Sequence, residues 1–267
     1  MNRNVLVAAL VALLVAGLAY WYWPAPPPPA PAPAVDSGPV AAPPPAPAST
    51  ASAPEAASAP APAASAAPPL AANDDVVRDA LIGLLGKPAV LTLLQTDRFA
   101  QRLVATVDNL PRGHAAPRLW PVNPMPGRFT IDADNRIAAA NARRYDALFA
   151  TLTALSPADA AAMYQRLSPQ LQVAYEDLGY PGKRFHDRLL ETLKHLLATP
   201  TLTAPPQVTL TDVKGPIPSE RPWVRYEYAD PGLESLSAGQ KIVLRVGPAH
   251  QRELMDWLRQ FRDQIGR

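Results

Sequence analysis

The feature that most constrains this chain is a segment of 49 residues, 24–72, that consists largely of proline and alanine. It holds 17 Pro and 20 Ala, and its only charged side chains are Asp36 and Glu55. Such a segment has little bulky apolar surface to offset the entropy lost on ordering, and proline favours extended polyproline II backbone, so we expect a disordered linker. At about 3.1 Å per residue it would reach about 150 Å when fully extended. Its PxxP repeats are also typical of ligands for proline-reading domains.

An uncharged run precedes this linker. Residues 5–23 read VLVAALVALLVAGLAYWYW, which is 19 residues without a charge, and about 20 apolar residues carry a helix across a bilayer core of about 30 Å. Arg3 lies before the run and the next Lys or Arg is Arg78, so the positive-inside bias predicts a cytoplasmic N-terminus. The aromatic cluster 20–23 suits the outer interface. We therefore expect a single-pass anchor in the bacterial inner membrane, with the following domain in the periplasm.

A cleaved signal peptide is the alternative interpretation of the same run. Gly17-Leu18-Ala19 resembles a small-residue cleavage site after a short apolar core. In both interpretations the rest of the chain is exported from the cytoplasm. The sequence contains no cysteine, which excludes disulfides, thiolate metal sites and lipid attachment through an N-terminal cysteine.

Residues 73–267 have a composition suited to folding, and 195 residues suffice for one sizeable core. Arg3, Asp36 and Glu55 are the charged side chains that precede this region, so it keeps 24 of the 25 Lys and Arg and 21 of the 23 Asp and Glu. The resulting net charge of +3 is too small to indicate a basic field. We expect no nucleic-acid partner.

Apolar residues at helical spacing predict a mainly α domain. The predicted helices are 74–85, Pro88 to Pro111 with a break at 96–97, 134–155, and a last helix that begins at Gly247-Pro248. Ser156-Pro157 and Ser168-Pro169 each place a capping serine before a first-turn proline, which predicts two separate short helices. The proline-rich stretch 111–127 is predicted to wrap the core.

A small β-hairpin is predicted in the C-terminal third. The runs 207–213 and 223–228 are rich in strand-forming residues, and the turn-rich stretch 214–218 separates them. Residues 237–246 fit either a short helix or a strand.

The stretch AYEDLGYPGKRFHDRLLETLKHLLATP, residues 174–200, predicts a helical hairpin. Gly179 suits the left-handed residue at a helix C-terminus, and Tyr180-Pro181-Gly182 supplies a turn before the next amphipathic helix. His186 and His195 are nine residues apart and therefore fall on roughly opposite sides of that helix. They do not form a helical zinc site of the His-x-x-x-His kind, and we expect no metal.

Three ordered blocks carry a resemblance to a known family. They are AYEDLGYPGKRFHDRLLETLKHLLATP, NARRYDALF at 141–149 and ADPGLESLSAGQKIVLRVGP at 229–248. With them the chain resembles a bacterial family catalogued as domain of unknown function 3014, over roughly residues 75–265 and in its anchor-plus-linker layout. The resemblance implies an architecture and supplies no catalytic or ligand residues.

The sequence offers little to suggest an enzyme. It has no Gly-x-Ser-x-Gly elbow, no Ser-x-x-Lys pair and no His-Glu-x-x-His, and nothing in it suggests a cofactor. The acid pairs Asp132/Asp134 and Glu176/Asp177 are of a kind that is usually solvated. An unrecognised envelope enzyme, such as a carboxylate-dependent glycan or peptide hydrolase, remains the alternative function and requires a pocket with two converging carboxylates.

Three blocks rich in Arg, Lys and Tyr are the candidate binding residues. They are Arg143, Arg144, Tyr145 and Asp146; Tyr180, Lys183 and Arg184; and Gln240, Lys241 and Arg245. Arg and Tyr recognise carboxylates, sugars and proteins by forked hydrogen bonds and stacking. The alternative is that these side chains bridge helices within the domain. The first interpretation predicts a binding or scaffolding protein whose partner is an envelope protein or a wall polymer.

Overall fold

The computed structural model describes residues 74–211 and 225–267. The anchor predicted at 5–23, the linker predicted at 24–72 and the turn predicted at 214–218 lie outside these ranges. Within them the chain is mainly helical, as predicted, and carries a small antiparallel pair of strands. None of the helices in residues 74–211 and 225–267 has the length and apolar character needed to span a membrane.

The elements follow one another in a simple order. The α-helices are α1 Asp74–Leu85, α2 Lys87–Leu93, α3 Phe99–Asn109, α4 Asp146–Thr153, α5 Pro157–Asp177, α6 Phe185–Leu197, α7 Pro231–Glu234, α8 Ala238–Arg245 and α9 Pro248–Ile265. Two 3-10 helices cover Pro117–Leu119 and Ala139–Tyr145. The strands are β1 Val208–Leu210 and β2 Tyr226–Tyr228. The helix predicted at 74–85 is thus confirmed, as are the break before α3 and the helix that follows Gly247.

The longest helix, α5, organises the core. It packs against α3 on one side and α9 on another, and α6 adds to the same core by contacting α3, α5 and α9. Met163, Leu167 and Leu171 of α5 are fully buried in this cluster. Trp257 of α9 donates its indole N–H to the Leu155 carbonyl oxygen at 3.0 Å, so the polar atom of a buried ring is satisfied as well.

The irregular chain between α3 and α4 wraps the core, as predicted. Trp120, Val122 and Met125 are buried in the main cluster although they lie in no long element. Backbone hydrogen bonds hold this segment in place. Gln95 N donates to Pro121 O at 2.9 Å, and Asn123 N donates to Leu93 O at 2.9 Å.

The helix predicted at 134–155 is wrong over its first half, where the structure has a tight loop and then the 3-10 helix. The Asp132 carboxylate accepts the backbone N–H groups of Asp134 at 3.0 Å and Arg136 at 2.8 Å. Asn135 adopts a left-handed φ of 57°. Short Asp and Asn side chains that bond nearby backbone compete with helix formation in this way.

The two short helices predicted at 156 and 168 are one helix, α5. The first signal is correct, because Ser156 caps the helix by accepting the Asp159 N–H at 3.1 Å. The second is wrong, because Pro169 lies inside the helix. Pro169 sits on the exposed side, while buried side chains before and after it pack on α3 and α9. Packing along the whole length therefore outweighs the cost of about 3 kcal/mol for an interior proline.

The predicted β-hairpin is confirmed and supports a second, smaller cluster. β1 pairs with β2 antiparallel, with Val208 opposite Tyr228. The side chains of this cluster are Phe129, Ile137, Val208, Tyr228 and Leu244. Residues 237–246, for which helix and strand were both open, form the helix α8, which begins with a capping box between Ser237 and Gln240.

The interior proline generates a stability prediction. We expect Pro169→Ala to raise the free energy of unfolding by about 1 kcal/mol or more, because alanine restores a helical N–H and removes the ring clash. Urea unfolding of the full chain would measure it. Gln165→Ala, at an exposed position of the same helix, is the matched control and should change stability little. A loss of stability in Pro169→Ala alone would indicate that Ser168-Pro169 begins a separate helix.

Gly239 generates a second prediction, because α8 packs closely on the end of α3. A Cβ at this position would lie 2.6 Å from Leu196 Cδ2 and 3.0 Å from the Leu110 carbonyl oxygen. We expect Gly239→Ala to destabilise the domain by about 1–3 kcal/mol through overpacking. The control is Gly83→Ala in α1, where nothing lies within 4 Å, and there alanine should stabilise by about 0.5–1 kcal/mol. Thermal unfolding measures the stability of both variants. If Gly239→Ala stabilised the domain as much as Gly83→Ala, the close packing of Gly239 would be contradicted.

Candidate functional site

The helical hairpin predicted from residues 174–200 is present. The hairpin turn, defined here as residues 178–184, connects the end of α5 to the start of α6. Gly179 and Gly182 have φ values of 109° and 73°. Residues with a Cβ rarely adopt backbone conformations with a positive φ. The two glycines therefore set the path of the turn.

A single amide side chain braces the turn from α5. Gln172 donates through Nε2 to the Lys183 carbonyl oxygen at 2.8 Å, and its Oε1 accepts the Phe185 N–H at 2.9 Å. The second bond satisfies one of the N–H groups that a helix N-terminus leaves without an intrahelical partner. Gln172 thus caps α6 and holds the turn backbone at once.

Tyr180 ties the turn to α3. Its hydroxyl donates to Asp108 Oδ2 at 3.2 Å and accepts from Arg112 Nη2 at 2.8 Å. Its ring stacks on Tyr175 with centroids 4.6 Å apart. The turn is therefore held by aromatic packing and by hydrogen bonds to a separate helix.

Asp108 is the centre of this network, although it is only 4% exposed. Its carboxylate bonds Arg112 Nη2 at 2.6 Å and Arg188 Nε at 3.0 Å. The negative charge of Asp108 raises the pKa of Arg112. Arg188 also donates to the Asp108 carbonyl oxygen at 2.8 Å, so α3 and α6 are joined through both side chain and backbone. A buried carboxylate needs partners of this kind to offset its desolvation.

The turn and the last part of α5 before it carry exposed apolar and cationic side chains. We call it the hairpin surface, and it consists of Val173, Leu178, Pro181, Lys183 and Arg184. Val173 is 58% exposed and Leu178 is 43% exposed. Arg184 lies 3.8 Å from Asp187, but both side chains are largely exposed and such pairs contribute little. A rigid turn thus presents apolar contact area beside two positive charges.

The residues of the first predicted block differ in burial: some lie at the surface and others in the interior. Arg143 is exposed, whereas Arg144 donates through Nε to the Pro126 carbonyl oxygen at 2.9 Å. Tyr145 is buried, which raises its pKa, and the positive charges of Arg144 and Arg245 oppose that rise. Asp146 is exposed and lies 3.1 Å from His250 Nε2.

The third predicted block is buried and meets the first in the interior. Lys241 pairs with Glu234 at 2.7 Å, and its carbonyl oxygen accepts the Tyr228 hydroxyl at 2.9 Å. Arg245 stacks over the Tyr228 ring at 5.2 Å. Burial raises the pKa of Tyr228 to about 12. Gln240 belongs to the capping box of α8. Tyr145, Gln240 and Lys241 therefore fit the intramolecular interpretation, and the exposed candidates are Arg143 and Asp146 in the first block and Lys183 and Arg184 in the second.

The two histidines of α6 each bond to a neighbouring element. The His186 ring lies with Nδ1 2.8 Å from the Tyr164 hydroxyl, and His195 Nε2 lies 2.8 Å from the Ser237 hydroxyl. Within residues 74–211 and 225–267, no group of three or more His, Asp or Glu side chains is placed to hold a metal ion.

A cavity of about 320 Å³ opens beside β1. Ile131, Val208, Leu210 and Tyr226 contribute its apolar lining, and Asp134 is the one carboxylate among its lining residues. The second carboxylate of that predicted pair, Asp132, instead bonds backbone in the adjacent loop. This cavity does not have the pair of converging carboxylates that glycoside hydrolysis requires.

Apart from Tyr180, the side chains that hold the turn were absent from the sequence prediction. Asp108, Arg112, Gln172 and Arg188 carry the network, and none of them belongs to the three blocks. One signal was available: Asp108 follows fully buried Val104 by four positions, on the apolar stripe of α3. Arg112 follows four positions later, at the spacing of a helical ion pair. An acid on an apolar stripe with a cation at i+4 marks a buried pair.

Comparison with known proteins gives one family. The model of the family described as "Protein of unknown function (DUF3014)" matches residues 99–262, which include α3 to α8 and most of α9. No curated protein and no solved structure matches the chain.

The network around Asp108 generates a prediction. We expect Asp108→Ala to cost about 1.5–3 kcal/mol of unfolding free energy, because Arg188 and Tyr180 lose a charged hydrogen-bond acceptor that is shielded from solvent. Glu191→Gln is the matched control. It removes an exposed partner of the same Arg188 and should cost less than about 1 kcal/mol. Chemical unfolding measures both, and equal small losses would show that Asp108 is not central to the hairpin.

Proposed function

Because the chain belongs to the DUF3014 family of proteins of unknown function, we propose a function from its own sequence and geometry. We propose that it is a single-pass protein of the bacterial inner membrane that presents its helical domain in the periplasm. There the domain binds an envelope partner through the hairpin surface. Its role is binding or scaffolding.

The layout of the sequence supports the location. The uncharged run 5–23 is long enough to span a membrane. Arg3 lies just before it and no Lys or Arg follows until Arg78, which favours an anchor with the C-terminal domain outside the cytoplasm. The proline and alanine segment 24–72 would then separate the domain from the bilayer by up to about 150 Å. That reach gives the domain access to partners well away from the inner membrane.

The rigid presentation of the hairpin surface is the observation that carries the binding role. Two glycines, Gln172 and Tyr180 hold the turn from within. Binding costs less when the contact residues are already ordered, because little conformational entropy remains to be lost. Leu178 and Val173 add exposed apolar area to this surface.

The chemistry of this surface suits a protein partner. Exposed aliphatic side chains bury area on association, and Lys183 and Arg184 donate hydrogen bonds to carboxylates or carbonyl oxygens at the rim. A wall polymer would use the same donors but would leave the aliphatic side chains without apolar contact. We therefore place an envelope protein first and make the polymer an outcome of the test.

Photocrosslinking in intact cells tests the surface. A photoreactive residue in place of Lys183 should give a discrete adduct with an envelope protein, identified by mass spectrometry of the full-length chain. The matched control is Lys194, an exposed lysine of α6 that lies outside the hairpin surface. Leu178→Glu should abolish the adduct without lowering the melting temperature. Adducts of equal yield at both positions, adducts with wall fragments alone, or none at 183 in the folded protein would overturn the proposal.

The location has its own test. We expect the protein purified from membranes to retain residues 5–23 in its intact mass. We also expect its domain to resist external protease until the outer membrane is permeabilised. A mature chain that begins after residue 19 would support the cleaved signal peptide instead, and protection from protease after permeabilisation would place the domain in the cytoplasm.

A further inference from the structure

His186 occupies a position from which it can control the hairpin. It is the second residue of α6, directly after the turn, and it reaches back to α5, where Nδ1 lies 2.8 Å from the Tyr164 hydroxyl. Burial raises the pKa of Tyr164, so the phenol keeps its proton and can donate it to Nδ1. In that arrangement Nδ1 of His186 is the acceptor, and the ring is neutral with its proton on Nε2.

The surroundings of His186 disfavour a positive charge. Burial lowers its pKa most, the positive charge of Arg184 lowers it further, and Asp187 acts in the opposite direction. α5 faces the ring with the hydroxyl groups of Tyr164 and Ser168. α9 faces Tyr164 with the apolar ring of Phe261. The N-terminal end of α6 adds the positive end of the helix dipole.

Acid therefore opposes the contact. The pKa of His186 in the folded domain lies below its ordinary value near 6.5. The unfolded chain binds a proton first as the pH falls, so the stability from neutral His186 is present above about pH 6.5. It is lost as the pH falls from there through the folded pKa. Protonation also converts the Nδ1 acceptor into a donor that faces the hydroxyl of Tyr164.

This contact lies next to the braces of the hairpin surface. Phe185, the preceding residue, gives its N–H to Gln172, which in turn holds Lys183. A ring that withdraws from Tyr164 displaces the first turn of α6, and that turn carries Arg184 at its N-cap. Loss of the hydrogen bond between His186 and Tyr164 would thus displace side chains of the hairpin surface.

We propose that His186 makes the hairpin acid-sensitive, so that its protonation releases the first turn of α6 from Tyr164 and disorders the hairpin surface. The consequence for partner binding rests on the proposed function, because the surface must be the one that the partner contacts. Partner binding then weakens in an acidified envelope.

Hydrogen exchange of the full chain in lipid nanodiscs tests this without any partner. Protection factors of the amides in 180–188, corrected for intrinsic rates, are compared at about pH 7.5 and about pH 5, where carboxylates remain mostly ionised. We expect a fall of about threefold to tenfold at the lower pH, which corresponds to the loss of one neutral hydrogen bond. Amides of α9 serve as the internal reference.

Two variants make the test specific. His186→Gln keeps an acceptor for Tyr164 and does not titrate, so its hairpin protection should be the same at both pH values. His195→Gln, the matched control on the same helix, should keep the wild-type fall. Equal protection in the wild-type chain at both pH values, or an unchanged fall in His186→Gln, overturns the proposal. If His186→Gln does not fold, Tyr164→Phe replaces it and should show a smaller fall than the wild type. Failure of the crosslinking experiment leaves these results unaffected, so the two proposals fail separately.

Discussion

The packing of α5 against α3 and α9 is the constraint on which the rest of the domain depends. Its buried stripe runs through both halves of the helix, past Pro169, so a residue that usually ends a helix is accommodated inside one. The same helix supplies Tyr164, Gln172 and Tyr175, which hold the start of α6 and the turn that precedes it. The helix that organises the core therefore also supplies the side chains that hold the candidate surface in place.

The polar interactions are arranged around this core in two groups with different exposure. Near the hairpin, one buried carboxylate, Asp108, collects partners from two helices and a turn. Near the β-hairpin, Glu234, Lys241 and Tyr228 satisfy one another in the interior. In the first group the partners extend to solvent, since Arg112 is half exposed and Tyr180 is only partly buried. The first group thus connects the core to side chains at the surface.

The sequence predicts the elements where local signals and packing agree. Gly179 and Gly182 mark the hairpin turn because their backbone conformations are costly for other residues, and Ser156 marks the start of α5 because it satisfies a free N–H. The prediction fails where tertiary packing decides, as at Pro169, or where side chains bond local backbone, as at Asp132. Of the candidate site, the sequence identifies Lys183 and Arg184 but not the exposed apolar residues Val173 and Leu178. It does not identify Gln172 or Arg188, because bonds across elements leave no periodic signal.

The network around Asp108 has a consequence for the variation of this domain over evolutionary time. The side chains at positions 112, 180 and 188 all contact the carboxylate at position 108. The four side chains therefore lie close together, and the charges of the two arginines are balanced by Asp108. A change at any one of them alters what the other three can tolerate, because a neutral residue at 108 leaves two cations facing each other. These positions should therefore change together or not at all. Exposed residues such as Val173 and Leu178 are free of that coupling and can vary independently.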